Sequence, residues 1–391
     1  METFFLAAST IFYTLAGLAV ALTVLPFLKF HVWWIRIGEF PRLQIAAVGL
    51  FVLIILPFLI APFSPAEIVI LLLVAASIVY HIYCVLKYLP FYPKQVERSR
   101  VPVPRNVIRL FICNVLIENR DTKKLLQRIE KTNPDLVLLA EVDDYWVENI
   151  AELEKKYPFF IKCPLDNAYG IALYSRLKLE NLELKFLVED DIPSIHTQVV
   201  LRSGKLINLF CLHPRPPLPT ENIRSLERDV ELLLVGRMID KIDEPTIVAG
   251  DLNDVAWSRT TRLFQKISGL LDPRIGRGLY STFPVAYPLV RCPLDHVFHS
   301  NHFRLVELKR LKSVDSDHFP MFISLSLETT AEHTQEEPEA DIEEKQEADE
   351  TIQEAFETLE AEMQEEEKSR RGGEEEKRRR GEEEEEKRKR R

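Results

Sequence analysis

Asn133-Pro134-Asp135-Leu136-Val137-Leu138-Leu139-Ala140-Glu141 opens with turn-forming residues, continues as an unbroken apolar run and ends on a single carboxylate. A short apolar run bounded by a turn signal reads as a buried strand, here 135–140, which delivers Glu141 at its C-terminal end. Upstream, residues 107–116 read as a strand ending at Asn114 or just past it. Residues 121–131 read as a helix with Leu125, Leu126 and Ile129 on one face. Downstream, strands are expected at 170–174, 197–201, 206–212, 246–249, 295–298 and 319–327. Short apolar runs alternating with amphipathic stretches define an α/β domain, and polar residues close four of these strands. Clustered strand-end polar groups are how open α/β sheets build active sites.

The polar ends form an ordered series. Asn114 ends a strand, Glu141 follows the quoted run, and His213-Pro214 closes another strand. Gly250-Asp251-Leu252-Asn253 follows, and the series ends with Leu294-Asp295-His296 and Ser316-Asp317-His318. Each is weak alone, because a strand-end carboxylate is more often a cap or turn former than a ligand. The unusual feature is a succession of strands, each handing an Asn, Glu, His or Asp to one edge.

This set resembles the endonuclease/exonuclease/phosphatase family over about residues 107–327. Supporting pieces are Gly170-Ile171-Ala172-Leu173-Tyr174-Ser175-Arg176, Trp257-Ser258 and Ser281-Thr282-Phe283-Pro284. The resemblance implies a four-layer α/β sandwich, with two mostly antiparallel sheets face to face and helices outside. It also implies hydrolysis of phosphate esters with magnesium, manganese being the alternative. Glu141 is then the first metal ligand, since hard magnesium prefers carboxylate oxygen, with Asn114 and Asp317 assisting. Asp251 orients or deprotonates the attacking water, and Asn253 holds a phosphate oxygen or that water. Asp295 and His318 form a carboxylate–imidazole pair, His213 donates to a phosphoryl or leaving oxygen, and Arg215 adds charge to the same loop. The chain departs from the family at Ala140, where many relatives carry Gln, and at 213–219, where nucleases have a tyrosine-bearing stretch. Both departures argue against an abasic-site repair function.

The first ninety residues add something else. Uncharged runs at 4–28, 45–63 and 66–88 each approach the roughly 20 residues needed to cross hydrocarbon, which excludes a wholly soluble protein. Pro26 and Pro57 are tolerated in membrane helices, and Trp33, Trp34, Tyr88 and Tyr92 suit the interface. No basic residue precedes the first run, which argues against a cleaved signal peptide. Lys29, Arg36 and Arg42 follow the first run; Lys94, Arg98, Arg100 and Arg105 follow the third. Positive-inside logic puts both groups in the cytoplasm together with the catalytic domain, and leaves the N-terminus outside. His81, within the third run, reads as a helix-packing residue.

The expected organisation is a membrane domain at 1–90, a basic Pro-containing linker at 91–106, the catalytic domain at 107–327 and a disordered charged tail at 328–391. Of the 60 acidic and 50 basic residues, 26 and 13 lie in that tail, so the tail carries −13 and the rest +3. The body can therefore approach a phosphate-bearing substrate without strong repulsion. Ile352, Phe356, Leu359 and Met363 are spaced for a short amphipathic helix, while 374–391 cannot bury a core. Five Cys without a C-x-x-C pair exclude a disulfide scaffold or zinc ribbon. His296, His299 and His302 are spaced for a helix but lie on a strand, which argues against zinc.

The expected function is a membrane-anchored phosphoesterase acting on a lipid or lipid-linked phosphate, with membrane lipids as partners and no protein partner identifiable. Nucleic acid is the alternative substrate, although +3 without a basic-aromatic stripe gives little of the footprint DNA binding needs. An inert membrane scaffold is the second alternative.

Overall fold

The computed structural model describes residues 2–28, 30, 32–60, 62–216 and 225–361. Lys29, the proline run beyond Pro216, Met363 and the charged blocks of 374–391 lie outside them. The first elements are helices α1 (Glu2–Val24), the short α2 (Trp33–Arg36), α3 (Arg42–Ile60) and α4 (Pro65–Leu86). Segments Thr3–Phe27, Arg42–Ile60 and Pro65–Leu86 are each long and apolar enough to cross a membrane. Ala16, Val52, Leu56 and Val74 form the buried seam between these helices. His81 bonds Thr23 Oγ1 through Nε2 at 2.9 Å, a helix-to-helix contact. Ser64 starts α4 with a reciprocal capping box, its side chain accepting from Glu67 N and its backbone N–H donating to the Glu67 carboxylate.

After a basic segment come β1 (Val107–Asn114), α5 (Thr122–Thr132), β2 (Leu136–Ala140), α6 (Asp144–Asn149), β3 (Phe159–Cys163), β4 (Ile171–Ser175), β5 (Leu179–Phe186), β6 (Pro193–Val200) and β7 (Leu206–Leu212). The chain continues through α7 (Leu226–Ile239), β8 (Thr246–Asp251), α8 (Arg259–Ser268), β9 (Asp295–His299), β10 (Phe303–Arg310) and β11 (Met321–Leu327). One sheet has the order β10-β11-β1-β2-β4-β3 and the other β5-β6-β7-β8-β9. Each contains one parallel pair, β1–β2 and β7–β8, among antiparallel neighbours. The sheets pack face to face through Leu110, Ile112 and Leu138 on one side and Ile195, Leu209 and Ile247 on the other. Outside, Val137 and Leu139 meet α5 through Leu125 and Ile129, while Phe210 and Val248 meet α7 and α8 through Leu232 and Phe264. Central strands covered on both faces need apolar residues at every position, which is why β2 is uniformly buried. The fold is the four-layer α/β sandwich that the sequence implied.

Local signals explain the joints. Asn133 ends α5 in the left-handed conformation, and Pro134 then forbids continuation. Three strands at sheet edges, β3, β5 and β10, were not expected from the sequence: β5 and β10 interleave charged residues with apolar ones, and β3 is a half-exposed run of five residues.

The segments flanking the sandwich are structured. Along 91–106, read as a linker, Val96 is buried, Ser99 N donates to Leu305 O at 2.9 Å and Leu305 N donates to Glu97 O at 2.9 Å. Gln335 donates to Asn301 O and Phe303 O, both at 2.8 Å, and its Oε1 accepts from Glu97 N at 2.7 Å. The compact unit therefore runs to Ala340, and the tail read as beginning at 328 divides there; a second unit spans Asp341–Arg391. Within that second unit, residues 342–361 are helical and carry Ile352, Phe356 and Leu359.

Candidate active site

Strand register assembles the site. Parallel pairing sets Asn114 opposite Ala140, so Glu141 follows beside it. Antiparallel pairing sets Asp251 opposite Asp295, and Leu212 opposite Gly250 brings His213 out next to Asp251. Gly250 is required for this approach, because a Cβ there would lie 1.9 Å from Leu212 O and its φ is +148°. Glu141 holds a left-handed φ of 60°, a strain of about 1–3 kcal/mol in a non-glycine residue and a feature concentrated at functional sites. It is held there by Asn114 Nδ2, which donates to Oε1 at 2.7 Å, and by Ile117 N, which donates to Oε2 at 3.1 Å.

Asn114 joins the two sheets. Its Nδ2 also reaches Asp251 Oδ2 at 3.1 Å, while its Oδ1 accepts from Leu116 N at 3.0 Å. Opposite, His318 Nδ1 donates to Asp295 Oδ2 at 2.8 Å and lies 3.5 Å from Asp251 Oδ2. Asn253 N donates to Asp251 Oδ1 at 3.0 Å, and Asn253 Nδ2 ties down Pro214 O at 2.9 Å. His213 is buried, with its ring 5.9 Å from that of Tyr169. All eight side chains singled out in the sequence thus belong to one edge of the sandwich. Arg215 instead turns to Glu189, its Nε donating at 3.1 Å, and approaches Asp191, so its charge is already paired.

Charge in the cleft is unbalanced. Burial opposes protonation of His318, but Asp251 and Asp295, with Asp317 behind them, outweigh it and push the imidazole up to about 10. Burial likewise works against charge on Asp251, yet the His318 and His213 imidazoles hold its carboxyl below the usual range. Burial raises Asp295, and burial with nearby Asp251 raises Asp317 despite the His318 charge. Burial pushes Glu141 up to about 7, against the pull of its two N–H donors and with the help of Asp251 and Asp317. Four carboxylates thus face one imidazolium, and Asp295 Oδ1 is buried with no hydrogen-bond partner among the described residues. Such a donor set fits a hard divalent cation. Asp251, Asp295 and His318 bring ligand atoms within 4.8 Å of one another, an acidic/His cluster that could hold a metal.

The three histidines considered for zinc are separately engaged: His296 Nε2 with Asp254 O at 2.8 Å, His299 Nδ1 with Ser300 O at 2.8 Å and His302 Nδ1 with Ser300 Oγ at 3.0 Å.

Several supporting residues carried no assigned role in the sequence. Ser316 Oγ donates to Asn114 O at 2.8 Å and accepts from His318 N at 3.0 Å, fixing the segment that carries His318 to the end of β1. Thr282 Oγ1 accepts from Leu294 N and Asp295 N, both at 3.2 Å, and the Phe283 ring lies 4.9 Å from His318. All three sit inside motifs already quoted, Ser281-Thr282-Phe283-Pro284 and Ser316-Asp317-His318.

More surprising is the loop between α1 and α3, which docks behind the Asp251–Trp257 segment. Trp257 Nε1 donates to Glu39 O at 2.7 Å, and Arg259 N donates to Glu39 Oε1 at 3.1 Å. Arg36 pairs with Asp229 and donates to Thr260 Oγ1 at 2.8 Å; Arg228 in turn holds Asp229 Oδ1 at 2.8 Å and Asn253 O at 2.9 Å. From the end of α4, Tyr88 Oη donates to Ala256 O at 2.6 Å and joins Val85, Val255, Ala256 and Trp257 in a buried cluster.

Residues 112–318 match the Endonuclease/Exonuclease/phosphatase family, and the chain belongs to it. That family includes metal-dependent phosphoesterases and nucleases, typically hydrolases of phosphate esters that depend on a divalent metal. Among similar solved structures, a humanised TDP2 from D. rerio is 18% identical, covering 56% of this chain and 99% of its own, with a TM-score of 0.47. The human nocturnin catalytic domain is 20% identical, covering 60% and 99%, with a TM-score of 0.44. A family protein from Beutenbergia cavernae is 17% identical, covering 57% and 72%, with a TM-score of 0.45. No curated protein sequence matches the chain.

Proposed function

We propose that this chain is a membrane-anchored, divalent-metal-dependent phosphoesterase that hydrolyses a lipid or lipid-linked phosphate. The observation carrying this reading is that the sandwich edge bearing the site is also the edge gripped by the α1–α3 loop and the end of α4, through Trp257 to Glu39 and Tyr88 to Ala256. A site held that way looks at the bilayer surface.

A cation held by Glu141 with Asp317, and Asn114 at its edge, would polarise a phosphoryl oxygen and offset the charge that grows there. Asp251, kept ionised by its histidine neighbours, orients a water and takes its proton. His318, charged and aimed by Asp295, donates to a phosphoryl oxygen, and His213 serves the leaving oxygen. Asn253 fixes the geometry of Asp251 by its backbone and of the His213 loop by its side chain. Magnesium is the proposed ion, with manganese as the substitute.

The test is hydrolysis by the full chain reconstituted in vesicles, offered phosphatidic acid, a lipid pyrophosphate and single-stranded DNA. Each is run with magnesium, manganese or chelator. Chelator-sensitive release of phosphate from a lipid is expected, with Asp251→Ala losing roughly 10²–10⁴-fold. Cleavage of DNA alone would favour the nuclease alternative, and no turnover by folded, metal-loaded protein would favour an inert scaffold. The basic residues after α4, Lys94, Arg98, Arg100 and Arg105, support a cytoplasmic catalytic domain. Labelling of Lys131→Cys in intact cells by a membrane-impermeant thiol reagent would refute that orientation.

A further inference from the structure

Residues 284–291 form a loop whose base is tightly built and whose tip is apolar and open. The base is closed by an antiparallel bridge in which Phe283 N donates to Cys292 O at 3.1 Å and Cys292 N to Phe283 O at 2.6 Å. Arg291 spans the loop from within, its Nε donating to Pro284 O at 3.1 Å and its Nη2 to Val285 O at 2.5 Å. At the tip, Tyr287 is 66% exposed, Leu289 86% and Val290 51%. Large apolar side chains gathered this way on a well-braced loop mark an interaction surface.

Two contacts say what covers it. Gln44 Nε2 donates to Leu289 O at 2.6 Å, and Gln44 lies in the first turn of α3, two residues past Arg42. A rise of about 1.5 Å per residue places the tip within a few ångströms of the level at which α3 begins its apolar course. At its other end the loop reaches the catalytic cleft: Val285 N donates to Asp317 O at 2.8 Å, and Phe283 stacks near His318. Exposed Trp34, and Phe91 and Tyr92 just after α4, are further aromatic residues beside the helix ends, as expected at a membrane interface.

We propose that the Tyr287-Pro288-Leu289-Val290 tip inserts into the lipid leaflet next to the site and forms the doorway by which a lipid-borne phosphate passes to Asp317 and His318. The doorway rests on the lipid-directed function proposed above, whereas insertion rests only on the position of the loop beside α3. The occupant is the boundary between headgroups and acyl chains, which takes apolar side chains and a tyrosine hydroxyl together. A lipid entering there keeps its tails in the leaflet while its phosphate moves along the Phe283–Val285 arm of the loop.

The experiment uses the full chain in phosphatidylcholine vesicles with and without acyl-brominated phosphatidylcholine. In a Cys163→Ser background, which removes the one half-buried native thiol, Leu289→Cys and Lys131→Cys are labelled separately with an environment-sensitive fluorophore. Lys131 lies near the C-terminal end of α5, at the sandwich edge away from the site. Blue-shifted emission quenched by bromolipid at 289 but not at 131 is the expected result, and equal exposure of both labels to water would overturn the proposal. In parallel, Leu289→Asp with Val290→Asp should lower the ratio of turnover on vesicle phosphatidic acid to turnover on a water-soluble aryl phosphate by roughly tenfold. An unchanged ratio would overturn the doorway. Quenching at 289 in a protein that hydrolyses no ester would uphold insertion and overturn the enzymatic reading instead.

Discussion

Arg36→Met tests whether the α1–α3 loop shapes the proposed catalytic site or merely tethers the domain. The Arg36 guanidinium is buried among Asp229, Glu39, Thr260 and Ser225, and its neighbours hold it fully charged. Removing one partner of a buried ion pair costs about 3–5 kcal/mol, because the other charge is left without compensation. Here Asp229 keeps Arg228 at 2.8 Å and Glu39 keeps Arg42 at 3.3 Å, so the lower end, about 3 kcal/mol, applies. At 2–4 °C per kcal/mol for a domain of this size, the melting midpoint in nanodiscs should fall by roughly 6–12 °C. Turnover should fall as well, since Arg228 holds both Asp229 and the carbonyl of Asn253, the residue that fixes Asp251. A displacement on the order of 1 Å at such a group can cost 10²-fold. The cost should appear in kcat and leave KM for a soluble ester nearly unchanged, with Arg36→Lys restoring part of both losses. In a double-mutant cycle with Asp229→Asn, a coupling of about 1 kcal/mol or more is expected. Additive effects, or a midpoint within about 2 °C of the parent with kcat intact, would show that the α1–α3 loop only tethers.

Adding magnesium or manganese at a hundred times its Kd should stabilise the chain by about 2.7 kcal/mol, read as a chelator-reversible rise in melting midpoint. Glu141→Gln should abolish most of that rise while the fold survives; an undiminished rise would place the ion elsewhere. His299 is buried on β9 and lowered by burial to about 4, so its native form is neutral when its unfolded form begins to protonate near 6.5. The unfolded chain then binds more protons, and stability present above about pH 6.5 is lost as pH falls toward 4, roughly 2 kcal/mol by pH 5. Denaturant titrations at pH 7.5 and 5 should show that loss in the parent and a smaller one in His299→Gln; equal losses would assign the acid sensitivity to other groups.

Legibility in the sequence followed from solvent geometry. Strands covered on both faces must be apolar throughout, so β1, β2, β7 and β8 announced themselves, and the residue after each run was necessarily at a sheet edge. What the linear sequence hid was pairing across distance. Helix α7 is buried nearly all round, with Glu227, Arg228, Asp229 and Glu231 inside alongside its apolar residues, so the usual amphipathic stripe is absent. Among them Asp229 is compensated by Arg228 and by Arg36, which is far away in sequence. Arg36 and Arg42 in turn looked like simple markers of membrane sidedness, whereas both are buried in ion pairs with Glu39. At the site, residue identities suggested the roles, but only the register shows that Asp251 faces Asp295 and that Asn114 bridges the two sheets.

The pairing of β1 with β11 sets a timetable for biosynthesis. Val107 is partnered by Ser326, so one side of β1 has no neighbour until more than two hundred further residues have been made. At about 5–20 residues per second, translation of that interval takes roughly 10–45 s. During it the half-built first sheet waits with an unsatisfied backbone edge. Gln335, which clasps Glu97 to the rim of β10, arrives last. Closure of the domain is therefore a late, long-range event, and until then the open edge of β1 is a template on which another chain can pair.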